Sequence, residues 1–142
     1  MEQLDFFNRQ SYKSVSKKQG ITIDTIFNSL YLFPNKIQFC HHNTTSFAQH
    51  KALDDTYEKL NDLKDDIVEQ IIGYTGQRIS SLSLGNISSF SENMSKEIAK
   101  EIMTFAKELE NWAEENEYCN IENLAQEYSG VAAKLNYLLT LK

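Results

Sequence analysis

Apolar residues recur along this chain at the spacing of helices, in four stretches parted by polar or small-residue breaks. The clearest is 46–72, where Leu53, Tyr57, Leu60, Ile67 and Ile71 keep to one stripe. Gly73 is its expected C-terminal cap. Upstream, over 22–43, Ile23, Ile26, Phe27, Leu30, Tyr31, Phe33, Ile37 and Cys40 give a first helix, with Thr22 or Asp24 as N-cap. Pro34 lies inside it. Its ring lacks an N–H and crowds the preceding turn, so the pattern predicts a kinked helix or two short collinear ones. A tight loop over 43–46 follows, with Thr44, Thr45 or Ser46 capping the second helix. A third helix is expected over 96–116, with Ile98, Ile102, Phe105, Leu109 and Trp112 on the core side. The outer, solvated side of that helix carries Glu97 and Lys100 as an expected i,i+3 pair. The fourth, over 121–141, carries Leu124, Tyr128, Val131, Leu135, Leu138 and Leu139, softly broken at Gly130. The stretch between the second and third helices is rich in Ser and Gly. Ile79, Leu82, Leu84, Ile87 and Phe90 make it too apolar for a disordered linker and are its expected anchors.

Candidate chemistry lies on the flank of the second helix. At about 100° of turn per residue, His50, Asp54, Asp65 and Glu69 fall within roughly a quarter of its circumference. Imidazole with carboxylate suits iron, manganese or zinc. His50 and Asp54 are one turn apart, as are Asp65 and Glu69. The two pairs are separated by roughly 16 Å of helix, and ligand bonds are only about 2 Å long. One helix therefore cannot close all four around one metal. An antiparallel copy could, bringing Asp65 and Glu69 of one subunit beside His50 and Asp54 of the other. The competing reading is a wetted acidic face: Asp55, Glu58, Asp62 and Asp66 show that this helix has carboxylates to spare.

The spacing His50-x3-Asp54-Asp55-x-Tyr57-x7-Asp65-x3-Glu69 resembles the second helix of the Dps miniferritins, the DNA-binding ferritins of starved bacteria. The resemblance implies an all-α, ferritin-like four-helix bundle with a crossover between helices two and three, often carrying a small extra helix. It also implies a ferroxidase-type metal centre between two-fold-related subunits. His41, near the end of the first helix, is the best match to the family's further histidine; His42 is the weaker candidate. The implied ligand set is thus His41, His50, Asp54, Asp65 and Glu69, with iron as the metal and zinc or manganese suiting the same donors. His42 stands where the family usually has Trp, and the loop is about three residues shorter. The stretch HHNTTSFAQHKAL is similar to a group of phage-encoded ferritin-like proteins. On this reading the protein is a homo-oligomer, a dimer at least and a dodecamer at the largest. Iron binding and oxidation would serve storage or oxidative protection. The alternative function is a non-catalytic ferritin-like oligomeric binding protein in which metal is structural or absent.

Composition narrows this further. The 142 residues suit a single domain at 21–142 after an N-terminal segment at 1–20. One Pro and five Gly against eight Phe and seven Tyr favour helices over a turn-rich β-fold. The net charge of −6 argues against general nucleic-acid binding. Arg9, Lys13, Lys17 and Lys18 are too few to give more than weak DNA binding, so DNA binding is expected to be weak or absent. No apolar run is long enough for a bilayer and no secretory leader is evident, which points to the cytoplasm, the host's if phage-encoded. Cys40 and Cys119 form no metal-type pair and are expected to be free and buried. No Walker, glycine-rich or nucleophile-elbow pattern occurs.

Overall fold

The computed structural model describes residues 20–142, which places the basic cluster of 1–19 outside the described residues. Among the described residues the chain forms four helices: α1 (Ile23–Asn43), α2 (Phe47–Thr75), α3 (Met94–Glu115) and α4 (Cys119–Leu138). No strand occurs among the described residues. The described residues are all-α, a bundle of four helices.

Local chemistry sets the helix ends. Thr22 caps α1 in a capping box: the Thr25 N–H donates to Thr22 Oγ1 at 3.2 Å, and the Thr22 N–H donates to Thr25 Oγ1 at 2.9 Å. Pro34 does not divide α1, which runs unbroken through it. The proline ring is buried, so core packing offsets the missing N–H, and, one residue on, the Asn35 amide donates to Tyr31 O at 3.0 Å. Ser46 caps α2, accepting from the Gln49 N–H at 3.2 Å. At the far end the sequence expectation was short by a few residues. Gly73 is inside the helix; Gly76, in the left-handed region at φ 73°, terminates it and donates to Ile72 O at 2.8 Å. Likewise α4 is not broken at Gly130 but passes straight through it and stops at Leu138.

The helices pack as a ring. α1 touches α2 and α3, and α4 touches α3 and α2. Contacts fix the route of the segment joining α2 to α3. The Gln77 amide donates to Asp24 Oδ1 at 3.1 Å, beside the start of α1, and the Ser83 N–H to Asn28 Oδ1 at 2.6 Å. Phe90 meets Phe39 edge-on at 6.2 Å, and Thr44 Oγ1 donates to Glu92 Oε2 at 3.0 Å, beyond the end of α1. The segment thus follows α1 along its length, and α3 begins at the end of the bundle where α2 begins. No helix forms within it, and of its expected anchors Leu82 is exposed, while Ile79, Leu84, Ile87 and Phe90 are half-buried. At the opposite end Tyr74 stacks on Tyr118 at 4.3 Å, with Trp112 against Tyr118 at 5.5 Å.

Buried residues from all four helices form one core, including Leu30, Leu53, Ile67, Ile102, Leu109 and Leu135. Tyr128 lies in it, fully buried, with its hydroxyl lacking a hydrogen-bond partner, and burial pushes that phenol well above the usual range. Tyr128→Phe keeps the ring and removes an unsatisfied buried polar atom. It is expected to raise unfolding stability by about 1 kcal/mol in urea titration.

Candidate metal centre

The first two helices bring two of the candidate ligands together. Only Thr44 to Ser46 separates α1 from α2, so the last turn of one lies beside the first turn of the other. His41 Nδ1 is 2.9 Å from the carbonyl oxygen of His50, and His50 Nδ1 is 3.0 Å from that of His41. The rings stack at 3.9 Å between centroids, inclined by 19°. A carbonyl oxygen can only accept, so each Nδ1 carries the hydrogen. In the neutral ring, Nε2 then holds the free lone pair. Metal-binding histidines are commonly oriented in this way, with one nitrogen fixed by a backbone carbonyl and the other left for the metal. His42 is exposed, with its ring 5.2 Å from that of His41.

The carboxylates are placed differently. Asp54 follows His50 by one turn on α2 and is exposed; Asp65 and Glu69 are exposed further along the same helix. None of the three forms a salt bridge among the described residues. Nor does any group of three or more His, Cys, Asp or Glu among those residues converge as a metal cage within one chain. The structure therefore joins His41 to His50, and leaves Asp65 and Glu69 on the same helix but distant. The open groove between α2 and α4, lined by Lys59, Asp62, Leu63, Glu127, Val131 and Lys134, contains none of the five candidates.

Sequence reasoning missed Glu92, just ahead of α3. Its carboxylate accepts from Thr44 Oγ1 at 3.0 Å and from the Thr45 N–H at 3.3 Å, pinning the turn that holds the two histidines together. Its only sequence signal was a carboxylate near a helix start, and its partners lie 47 and 48 residues away. Beneath that turn Cys40 is buried, and burial pushes its thiol up, opposed by the nearby Ser95 hydroxyl and reinforced by the Glu92 charge. Cys119, in contrast to expectation, is exposed, because it opens α4 at the bundle's end. The expected Glu97–Lys100 pair is also absent: Glu97 accepts instead from the Asn93 amide at 3.3 Å.

Residues 41–139, well over half of the chain, match the model of DUF5856, a family of unknown function. The chain belongs to that family. The DUF5856 match opens at His41 and takes in all five candidate ligands, together with the whole of α2, α3 and α4. No curated protein and no solved structure matches the chain.

Proposed function

We propose that this DUF5856 protein binds ferrous iron and oxidises it at a centre shared by two copies of the chain. His41, His50 and Asp54 would come from one copy, and Asp65 and Glu69 from the other. The observation that carries this reading is the His41–His50 pair, with both Nδ1 atoms held by backbone carbonyls and both Nε2 atoms free to act as donors. The separation of that pair from Asp65 and Glu69 along one continuous helix calls for the second copy. Two features support a ferritin-like bundle with a crossover: the α2–α3 segment that follows α1, and the common starting end of α2 and α3.

Iron is the substrate in this reading. Hard carboxylate oxygens favour the ferric over the ferrous ion, so the donor set assists loss of an electron. Two ferrous ions each give up one electron, and hydrogen peroxide accepts both and is reduced to two hydroxide ions. The imidazoles contribute neutral donors that do not add to the negative charge of the site. The carboxylates hold the growing positive charge, which also relieves their mutual repulsion. Storage in a closed shell would require contacts beyond those of α2.

Anaerobic loading with ferrous iron, followed by peroxide, is expected to give ferric absorbance at a rate well above that of free iron, with one site per chain. Metal retained at that stoichiometry but oxidised no faster than free iron would instead favour a structural staple.

A further inference from the structure

The candidate ligands share their side of α2 with apolar residues that the chain's own core leaves wholly or partly uncovered. Phe47 is 74% exposed, more than any other large hydrophobic residue described. Val68 and Ile72 are half-buried at the core's edge. At about 100° per residue, Phe47, His50, Asp54, Asp65, Val68 and Ile72 lie within about 60° of the helix circumference. The deeply buried Leu60, Ile67 and Ile71 point elsewhere.

The arrangement is also symmetrical along the axis. Phe47 and Ile72 straddle the point between Lys59 and Leu60, and so do His50 and Glu69, Lys51 and Val68, and Asp54 and Asp65. Two copies of a helix laid antiparallel across a two-fold axis bring such pairs opposite each other, because a two-fold contact is self-complementary. We propose that this side of α2 docks a second copy of the chain in that register, with Phe47 of each copy seated on the partner's Val68 and Ile72.

The register is the one the shared iron centre needs, so the proposal rests on that reading for its alignment. Its attraction comes from other residues. The two Phe47 anchors lie at opposite ends of the contact, where each removes an exposed ring and an apolar edge from water. Lys51, whose Nζ lies 5.7 Å from the Phe47 ring centroid, is carried towards the partner's Glu69, an opposite charge. Between the anchors, Asp54 faces the partner's Asp65, like against like. The docking is therefore tightened by a divalent cation at that point, and by linkage the cation binds the paired chains more tightly than single ones.

Sedimentation of the full chain, with zinc as a redox-silent probe and with chelator, tests the proposal. Phe47→Ala is expected to weaken dimerisation about ten-fold or more under both conditions, with helicity unchanged. Tyr137→Ala, which removes another exposed aromatic from α4, is expected to leave it unchanged. In a Cys119→Ser background, Phe47→Cys chains mixed with Ile72→Cys chains are expected to be joined 47 to 72 by a short thiol cross-linker, while Phe47→Cys alone yields no 47-to-47 product. A dimer indifferent to Phe47→Ala, a 47-to-47 product, or chains that stay monomeric with zinc bound would each overturn the docking. A dimer with the 47-to-72 product that binds no metal would uphold the docking and refute the iron centre.

Discussion

Asp65→Asn combined with Glu69→Gln is expected to abolish metal binding while leaving the helices intact. Both side chains are exposed and unpaired by any salt bridge among the described residues, so replacing them with amides of similar shape removes charge without disturbing packing. The loss should be at least a hundred-fold in affinity, since altering even a residue behind a ligand costs about 10–100-fold. Calorimetry with ferrous iron under anaerobic conditions measures it, with circular dichroism as the check on folding. Mixing restores binding in a diagnostic way. A dimer of this variant with a His50→Ala chain has one site with all its ligands and one that lacks ligands from both chains. Random pairing of equal amounts therefore recovers about a quarter of the full stoichiometry. No recovery, with binding lost in each variant alone, would mean that the ligands belong to a site within one chain.

Phe105→Ala carries the largest expected stability cost, about 3–5 kcal/mol. Phe105 is 5% exposed and sits at the centre of an aromatic chain through the bundle. Its ring lies 5.6 Å from Phe33 on α1 and 5.7 Å, edge-on, from Tyr128 on α4. Truncation would leave a cavity bounded by three helices that are fixed by their other contacts and cannot collapse to fill it. Against a typical total of about 5–15 kcal/mol, that is a large share of the fold's stability. Urea unfolding would show it as a lower midpoint with an unchanged slope. A change below about 1 kcal/mol would mean that the space is refilled by Phe33 or Tyr128.

Among the described residues, the number and type of the elements were legible because helix periodicity is a local property. Side chains at i, i+3, i+4 and i+7 share a face whatever lies opposite, so the buried stripe of α2 at Leu53, Leu60, Ile67 and Ile71 could be read directly. Caps are similarly local, and Thr22 and Ser46 act where hydroxyl residues precede an apolar run. The errors fell where a local rule competes with packing. Gly73 and Gly130 cost too little to end helices held by their neighbours, and of the two arrangements Pro34 allowed, a single helix or two short ones, its buried ring goes with the single helix.

For the candidate site, the chain by itself determined the spacing of His50, Asp54, Asp65 and Glu69, and hence that a single straight helix keeps Asp65 and Glu69 away from the histidine end. Only the tertiary structure decided that His41 and His50 stack, that each imidazole is held by the other's backbone carbonyl, and that Glu92 fastens the turn between them. The physical reason is range. Helix spacing is fixed by bonds within four residues, whereas the orientation of an imidazole depends on which carbonyl comes within 3 Å of it, and that follows from how two helices pack.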